Sequence, residues 1–373
     1  MTPTVAITGG FGFLGWHTAA RLRAVSGIET VRLGRADCAD VANLAERLVG
    51  VEAVLNIAGI NRAESEEAVE QGNAAIGATL AQAVRSNGRP MHVVNANSVQ
   101  IYGDSAYGRG KAVAAELVRA AVLDVGGTFV DVVLPNLFGE HGRPAYNSFV
   151  ATFCEEITQG RRPLVSNDRA IPLLHAQDAA RALIVGLEKR ADAKIEPEGE
   201  PRLISEVRDL LDSFHALYAQ RGEIPDLSTK FATDLFNTYR SYLFPKQFPI
   251  YPQAHTDPRG SLYETGRMHG GVGQSYVSIT APGKVRGEHY HLRKVERFFV
   301  VKGSAEIQLR RLLHDEVLSF EVSGEKPAFI DMPTMWVHNI RNVGSDELIT
   351  MFWSDQLLDP GHPDQYTEMV GVS

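Results

Sequence analysis

Short apolar runs alternate with longer amphipathic stretches from residue 1 to about residue 190. The runs "VAIT", "AVLNIAG", "HVVNAN" and "FVDVVLPN" read as strands, whereas "EEAVEQGNAAIGATLAQAVRS" repeats its apolar positions with the period of a helix. Residues 203–221 predict a further amphipathic helix. Continuous apolar strands that alternate with helices indicate a parallel sheet covered on both faces. The pattern therefore predicts an α/β doubly wound fold of the Rossmann type.

The pattern changes near "LFPKQFPIYPQ" at residues 243–253, which contains three prolines. No helical period survives beyond this stretch. Seven short runs rich in β-forming residues follow instead, separated by Gly, Pro, Asp or Ser: "SYVSIT", "RFFVV", "AEIQL", "VLSFEV", "AFIDM", "WVHNI" and "LITMFW". These runs predict an all-β barrel or jelly roll. We place the boundary at the prolines, which gives domains of residues 1–247 and 248–373.

Length, charge and cysteine content narrow the class of protein. A chain of 373 residues is long enough for two domains, each with its own core. The formal net charge of −8 argues against a nucleic-acid partner. The two cysteines, Cys38 and Cys154, form no CxxC motif, and no apolar run approaches the ~18 residues of a membrane span. The early strand at Val5 leaves no room for a signal peptide, so we expect a cytoplasmic protein with no membrane partner.

The stretch "TGGFGFLG" follows the first strand and opens a helix. Glycines in this position close the turn, let the backbone approach a pyrophosphate and let the helix pack on the strand. The helix N-terminus then faces the phosphate. We predict a dinucleotide site, whose candidate residues are Gly9, Gly12, Phe13, Leu14, Gly15 and Ala58.

The end of the second strand bears on the choice of cofactor. An acidic residue there would bind the ribose 2′-hydroxyl of NAD, but Gly34 and Arg35 follow "TVRL" instead. A guanidinium suits a 2′-phosphate. The sequence therefore favours NADPH, with Arg35 as the residue that selects it; the alternative is a solvated loop arginine.

Tyr107 and Lys111 lie four residues apart in "YGRGK", so on a helix they share one face. A lysine charge beside a phenol favours the phenolate and lowers the tyrosine pKa, which suits proton donation to a ketone during its reduction. Ser98, just after the strand "HVVNAN", is placed to hydrogen-bond the same oxygen. These three residues are the candidate catalytic set, and Tyr107 and Lys111 are also candidate cofactor contacts.

These motifs resemble the extended short-chain dehydrogenase/reductase family, whose members mostly act on nucleotide sugars. "NSVQIYG" corresponds to the pattern that carries the family's catalytic serine, and the resemblance makes Ser98, Tyr107 and Lys111 its triad. Only three residues separate "YG" from Tyr107, where the family usually has a longer loop. Asn136 in "LPNLFG" matches the family's substrate-phosphate asparagine, although Val133 stands where an arginine is common.

A second motif, "GKVRGEHYHLRKVERFFVVKG", fits the spacing G-x5-H-x-H-x4-E-x6-G. On a strand, His289 and His291 point to one face. "MPTMWVHNIRN" looks like the second half of the same pattern, which identifies the chain as resembling the cupin family. The resemblance implies four metal ligands: His289, His291, Glu296 and His338. Three imidazoles and one carboxylate suit zinc first, but also iron, nickel or manganese.

Another resemblance gives His289 a competing role. "TDPRGSLYE" and "KVRGEHYH" resemble motifs of metal-free cupins that epimerise or isomerise nucleotide-linked 4-keto sugars, in which this histidine is the base. Because His291, Glu296 and His338 are all present, we favour the ligand role. Arginines suit a diphosphate better than proton transfer. Candidate residues for handling substrate in this domain are Asp257, Arg259, Lys284 and Arg286.

The whole chain resembles the CapF-type capsular polysaccharide synthesis enzymes, which fuse a reductase to a cupin. Shared stretches include "GINRAE", "AYNSFVATFC", "VSNDR", "FNTYRSYL" and "LLDPGHPDQY". The resemblance implies a homodimer in which the cupin epimerises C3 of a UDP-2-acetamido-2,6-dideoxy-hexos-4-ulose. The reductase then uses NADPH to give UDP-N-acetyl-6-deoxy-L-talosamine, a precursor of UDP-N-acetyl-L-fucosamine. Implied substrate contacts in the reductase are Asn61, Arg62, Arg143 and Asn147.

Two alternatives stay open. The cupin is either a C3 epimerase or a catalyst of 3,4-ketoisomerisation or metal-dependent oxygenation. In a different class, the protein is a non-catalytic sensor of NADP; such sensors commonly lose the catalytic tyrosine or lysine, and this chain keeps both.

Overall fold

The computed structural model describes residues 4–361 and 363–371. Within them the chain forms two compact units. The first unit comprises the chain up to Thr152 together with Asp168–Ile204. The second unit comprises Phe153–Asn167 together with the chain from Ser205 onward. Among the described residues, no helix has both the length and the apolar character needed to cross a bilayer.

The first unit contains a central parallel sheet and a small second sheet. Their strands are β1 (Val5–Thr8), β2 (Thr30–Leu33), β3 (Ala53–Asn56), β4 (His92–Ser98), β5 (Thr128–Leu134), β6 (Asn136–Phe138), β7 (Ala170–His175), β8 (Ala193–Ile195) and β9 (Glu200–Leu203). The central sheet has six parallel strands in the order β2-β1-β3-β4-β5-β8, and β6, β7 and β9 form the second sheet. Every residue of β1 and β3 is buried, as their continuous apolar sequences predict.

Helices connect these strands. They are α1 (Phe13–Ser26), α2 (Val41–Arg47), α3 (Glu66–Asn87), α4 (Ala106–Asp124), α5 (Phe149–Thr158) and α6 (Ala176–Glu188); α5 begins in the first unit and ends in the second. The strand order runs from β1 to β2 in one direction and from β3 to β5 in the other. Right-handed crossovers then place helices on both faces of the sheet, which confirms the predicted doubly wound fold. The point where the order reverses, between β1 and β3, is where such folds bind ligands.

The second unit contains an antiparallel barrel. Its strands are β10 (Ala254–Asp257), β11 (Gly260–Tyr263), β12 (Gln274–Thr280), β13 (Val285–Tyr290), β14 (Glu296–Lys302), β15 (Ser304–Arg311), β16 (Val317–Ser323), β17 (Phe329–Met332), β18 (Trp336–Asn342), β19 (Leu348–Ser354) and β20 (Tyr366–Thr367). Two sheets, β12-β19-β14-β17 and β16-β15-β18-β13-β20, share one apolar core, while β10 and β11 pair only with each other. All seven runs predicted as strands are strands, which confirms the all-β fold of this region.

Two helices of the second unit precede the barrel: α7 (Ile204–Phe214), which continues into a π-helical turn at His215–Ala219, and α8 (Lys230–Leu243). The predicted helix over 203–221 therefore exists, with a wider turn near its end. Both helical segments bond the barrel strands. The Tyr218 hydroxyl donates to Asp331 at 2.8 Å, and the Arg240 guanidinium donates to the Met332 carbonyl at 3.1 Å. Residues 205–247, which the sequence groups with the reductase, thus pack with the barrel.

Candidate functional site

The glycine-rich turn joins β1 to α1 at the point where the strand order reverses. Gly12 is the N-cap of α1, and Gly9 has a left-handed φ of 66° that favours glycine. A Cβ atom added at Gly15 would lie 2.2 Å from the Gly9 carbonyl oxygen, so only glycine permits this approach. Phe13 and Leu14 form the first turn of α1, whose backbone N–H groups have no partner within the helix. The turn therefore fits a pyrophosphate.

Ala58 completes this cradle from the loop after β3. Its N–H donates to the Thr8 hydroxyl at 3.2 Å, and its Cα lies 3.0 Å from the Cβ position of Gly9. The Thr8 hydroxyl in turn donates to the Asn56 side chain at 2.8 Å. This network holds the ends of β1 and β3 together beneath the proposed dinucleotide.

Arg35 lies in the exposed turn after β2. The next acidic residue, Asp37, accepts the Gly34 N–H at 2.8 Å and pairs with Arg47 at 3.3 Å. The Asp37 carboxylate therefore stabilises the turn through these two contacts. The exposed guanidinium of Arg35 is consistent with its predicted role at a 2′-phosphate, which stays a prediction.

Tyr107 and Lys111 both lie on α4, so the predicted helical spacing is present. A Cβ atom added at Gly59 would lie 3.9 Å from both the Tyr107 hydroxyl and the Lys111 ammonium group, so the two side chains converge beside the loop after β3. Buried Asn73, which the sequence analysis did not single out, fixes that loop. Its side-chain oxygen accepts the Ile60 N–H at 3.0 Å, and its amide donates to the Ile60 carbonyl at 2.7 Å.

The short link between Ser98 and Tyr107 is a single 3₁₀ turn, Val99–Tyr102, packed against the start of α4. Ser98 caps this turn by accepting the Gln100 N–H at 3.3 Å. A Cβ atom added at Gly108 would lie 2.1 Å from the Gln100 carbonyl oxygen. Glycine at 108 thus allows the close packing that replaces the family's longer loop.

Burial dominates the pKa values of the candidate catalytic pair. It lowers the pKa of Lys111 to about 8, against the opposing effect of Asp131. It raises the pKa of Tyr107 to about 12, and nearby Tyr146 adds to the shift. The sequence predicts a lowered tyrosine pKa, whereas burial raises it in this structure because the phenolate loses hydration. Tyr107 consequently keeps its proton at neutral pH, as a proton donor to a ketone must.

Arg62 and Arg143, two of the candidate substrate residues, meet around Tyr146. The Arg62 guanidinium donates to the Ala145 carbonyl at 3.0 Å, and the Arg62 and Arg143 guanidinium carbons lie 5.8 and 5.1 Å from the Tyr146 ring centroid. Tyr146 also raises the pKa of Tyr107, so this cationic cluster lies near the candidate catalytic residues. The other candidates in this unit differ in exposure: Asn61 is half-buried, and Asn136 and Asn147 are exposed.

In the second unit, the four predicted metal ligands form one cluster. His289 lies on β13, His291 directly follows it, Glu296 begins β14 and His338 lies on β18. Each offers one ligand atom, and these atoms all lie within 4.8 Å of one another. Burial lowers the pKa of His289 to about 3 and also lowers the pKa of His338. Neutral imidazoles are the form that binds a metal ion.

Hydrogen bonds at Nδ1 fix the ring orientations of His291 and His338. His291 Nδ1 contacts the Asp364 carbonyl oxygen, and His338 Nδ1 lies 3.0 Å from the Trp336 carbonyl oxygen. A carbonyl only accepts, so Nδ1 carries the proton in both rings, and in the neutral form that binds a metal ion Nε2 presents a lone pair. Those lone pairs lie 3.2 and 3.4 Å from Oε2 of Glu296.

A cation fits this arrangement of acceptors. Lone pairs that face a carboxylate repel it unless a positive charge lies between them. His289 Nε2 is also buried, with no hydrogen-bond partner among the described residues. The donor set is one that zinc and other borderline divalent ions accept. The residues present therefore fit a divalent metal ion, whose identity the geometry does not choose.

Tyr276 on β12 supports the remaining oxygen of Glu296. Its hydroxyl donates to Oε1 at 2.5 Å, and its ring stacks on Phe352 with centroids 5.0 Å apart. The sequence analysis missed this residue. Alternation along "QSYVSIT" places it on the barrel's inner face but does not identify its partner, which is 20 residues away. Tyr276 leaves Oε2 as the oxygen that faces the imidazoles.

The candidate substrate residues of the barrel unit make local contacts. Asp257 and Arg259 pair with each other at 2.5 Å on the β10–β11 hairpin. The Arg286 guanidinium donates to the Thr280 hydroxyl at 3.0 Å and to the Ile279 carbonyl at 3.2 Å, and Lys284 is exposed. Their roles in substrate binding stay predictions.

Two family descriptions match the chain. The NAD dependent epimerase/dehydratase family matches residues 5–197, and the polysaccharide biosynthesis C-terminal domain matches residues 255–366. Both matches agree with the folds of the two units. Neither includes residues 198–254, so the domain boundary at 247/248 stays a prediction.

Relatives and solved structures extend the match to nearly the whole chain. A Pseudomonas aeruginosa protein named UDP-2-acetamido-2,6-beta-L-arabino-hexul-4-ose reductase is 33% identical over an alignment of 373 residues that covers 98% of this chain and 99% of the relative. The crystal structure of the capsular polysaccharide assembling protein CapF from Staphylococcus aureus has a TM-score of 0.60 at 29% identity, covering 98% of this chain and 100% of that one. The Bacillus subtilis spore coat polysaccharide biosynthesis protein SpsL is 25% identical over 120 residues, 30% of this chain and 80% of its own. The chain thus belongs to the CapF-type capsular polysaccharide synthesis family, in which an NAD dependent epimerase/dehydratase domain precedes a polysaccharide biosynthesis C-terminal domain.

Proposed function

We propose that this chain is a bifunctional enzyme of UDP-sugar metabolism. Its barrel epimerises C3 of a UDP-2-acetamido-2,6-dideoxy-hexos-4-ulose. Its first unit then reduces the C4 ketone with NADPH to UDP-N-acetyl-6-deoxy-L-talosamine, for the synthesis of a surface polysaccharide. The observation that carries the proposal is the full-length similarity to a protein named as a reductase of such a sugar.

The chemistry of one ketone links the two units. A hydrogen next to a carbonyl is acidic enough to be removed and returned to the other face when the enolate oxygen is stabilised. A bound divalent ion would supply that stabilisation as a Lewis acid. His289, His291, Glu296 and His338 would hold the ion, and Tyr276 keeps Glu296 oriented toward it.

The first unit would remove the ketone by reduction. NADPH supplies the hydride to C4 when bound. Tyr107, which is protonated at neutral pH and whose pKa burial raises further, donates its proton to the oxygen, and Lys111 lies beside it to stabilise the phenolate that remains. Reduction removes the carbonyl that makes the C3 hydrogen acidic, so the configuration at C3 can no longer change.

The metal-ligand geometry favours the ligand role of His289 over the base role. A histidine base needs a lone pair on its reactive nitrogen and an open path from that nitrogen to the substrate. His289 instead packs edge-on against His338, with ring centroids 4.6 Å apart, and its unpartnered nitrogen is buried. This packing supports metal-assisted chemistry in the barrel.

The proposed reaction order has a direct isotope test. Incubating the protein in D₂O with a UDP-linked 4-keto-6-deoxy-N-acetylhexosamine, without NADPH, should place deuterium at C3 with no oxygen consumed. Adding NADPH should convert the ketone to an alcohol that retains the label, as NMR of the product would show. Oxygen consumption would favour an oxygenase, and label at C4 together with a carbonyl moved to C3 would favour a ketoisomerase. Deuterium absent from C3 would contradict the epimerase proposal.

We expect Arg35→Ala to raise the KM for NADPH by about 10- to 100-fold, since a charge-assisted hydrogen bond to phosphate contributes about 1.5–3 kcal/mol. The KM for NADH should not change, because NADH lacks the 2′-phosphate. Arg23→Ala, which removes an arginine from the surface of α1, is the matched control. Equal affinities of the wild type for NADPH and NADH would contradict the role of Arg35.

The family resemblance also implies a homodimer, and one surface of the barrel unit supports it. Strand β12 is at the edge of its sheet, and its residues Val277 and Ile279 are 64% and 55% exposed. An exposed apolar edge strand of this kind is a template for pairing with another chain. Sedimentation velocity would show a single species of twice the chain mass; a monomer at micromolar concentration would contradict this proposal.

A further inference from the structure

The closing stretch of the chain, "PDQYTEMV", has no role in the chemistry described above. We define residues 363–370 as the C-terminal strap. The strap lies against His289 at the end of β13, against His291, which follows that strand, and against the next loop. Within it, β20 pairs with the end of β13, in the register His289 with Thr367 and Tyr290 with Tyr366.

Asp364 of the strap contacts the connection between His291 and Glu296. Its carboxylate accepts three consecutive backbone N–H groups, those of Leu292 at 3.0 Å, Arg293 at 2.7 Å and Lys294 at 2.8 Å. Its backbone carbonyl accepts the proton on His291 Nδ1. Asp364 therefore fixes the tautomer of His291 and also the conformation of the backbone between His291 and Glu296.

Glu288 connects the strap to the other histidine. Its φ of 59° is rare for a residue with a side chain, and it lies in the bulge of β13 that precedes His289. Its carboxylate accepts the Val370 N–H at 2.7 Å and the Asn339 amide at 2.9 Å. Its own carbonyl accepts the Glu368 N–H at 3.1 Å. The strap thereby stabilises the unusual backbone that directs His289 inward.

Arg310 anchors the strap to the barrel. This buried guanidinium donates to the Val370 carbonyl at 2.8 Å, to the Met369 carbonyl at 3.0 Å and to the Glu368 carboxylate at 2.6 Å. Val370 is fully buried. Terminal residues usually fray unless they are fixed in this way, so the strap is a built part of the barrel.

We propose that Asp364 is a positioning residue for the metal centre, acting through His291 and the loop 292–294. This inference rests on the proposed metal site. Outer contacts that orient metal-ligand histidines typically change metal affinity by about 10- to 100-fold when they are lost. Asp364 combines such a contact with control of the backbone between two ligands, so its loss should alter both the affinity and the geometry of the site.

The test uses the full chain and zinc itself. Asp364→Ala keeps the backbone carbonyl that contacts His291 but removes the carboxylate that holds the strap to the loop 292–294. The variant should bind zinc about 10- to 100-fold more weakly in competition with a chromophoric chelator. The visible absorption bands of the cobalt-substituted protein should shift, since they report the ligand geometry. Asp315→Ala is the matched control, because it removes an exposed carboxylate from the turn after β15. It should retain wild-type affinity and spectrum.

If the Asp364→Ala variant does not fold, the same measurements are made on Asp364→Asn. Asparagine keeps one acceptor oxygen but turns its NH₂ group toward N–H donors, so zinc affinity should still fall, by about 10-fold. Wild-type affinity and an unchanged cobalt spectrum in a folded Asp364 variant would overturn the positioning role alone. A wild-type protein that binds no zinc or cobalt would overturn the proposed metal site, and the positioning role with it.

Discussion

Replacing Tyr107 with phenylalanine is expected to lower the rate of ketone reduction by about 10²- to 10⁴-fold, the usual contribution of a positioned general acid. Tyr107 lies beside Lys111 at the loop after β3, and its buried phenol keeps its proton at neutral pH. Phenylalanine preserves the ring and removes only the proton donor. The measurement is NADPH oxidation with the 4-keto sugar, at saturating cofactor.

The same variant should leave the barrel reaction intact. Deuterium exchange at C3 needs neither Tyr107 nor NADPH, so its rate should match the wild type. Tyr102→Phe is the control, because the Tyr102 hydroxyl contacts only Lys194 and Glu196 in the contacts seen here, on an exposed surface. Reduction by Tyr107→Phe at the wild-type rate would show that another group protonates the oxygen.

Loss of the proposed metal centre is expected to have the second large effect. Chelation of the metal, or His338→Ala, should lower deuterium exchange at C3 by about 10²- to 10³-fold, comparable to removing an oxyanion-stabilising group. His338 is fully buried and its Nε2 faces Glu296, so alanine removes one of the four converging groups. Solvent exchange followed by NMR measures the effect. Readdition of zinc should restore the exchange in the chelated protein but not in the variant.

Two controls separate this effect from general damage. Reduction of a substrate already epimerised at C3 should continue in the chelated protein, because the reductase residues lie in the first unit. His314→Ala removes an exposed histidine from the turn after β15 and should have no effect. Unchanged exchange after complete chelation would instead support the base role of His289 known from metal-free cupins.

The parts of the fold and site that the sequence predicts are those set by short-range spacing. The glycine turn, the Tyr107–Lys111 pair and the alternation of His289 and His291 each follow from the geometry of one strand or helix. Strands β1 to β5 of the central sheet and the seven predicted runs of the barrel could be predicted for the same reason, because continuous or alternating apolar residues determine which faces are buried.

The residues that sequence reasoning missed act across long separations. Tyr276 reaches Glu296 from another strand, Asp364 reaches the loop after His291 from about 70 residues away, and Tyr146 joins two arginines of different loops. No local pattern marks a polar side chain whose partner the fold supplies. The raised pKa of Tyr107 was unpredictable for a related reason, because the degree of burial depends on the whole surrounding structure.

The ion pair between Arg297 and Asp331 decides where the barrel can be excised as an independent fragment. Arg297 donates two hydrogen bonds to Asp331 and a third to the Gly222 carbonyl at 2.7 Å, while the Tyr218 hydroxyl also bonds Asp331. A fragment that starts at Ile250 would lack Tyr218 and Gly222, and each buried polar group left without its partner costs about 1–3 kcal/mol. A fragment that starts at Ser205 retains Tyr218 and Gly222, so Ser205 is the better first residue for expressing the isolated barrel.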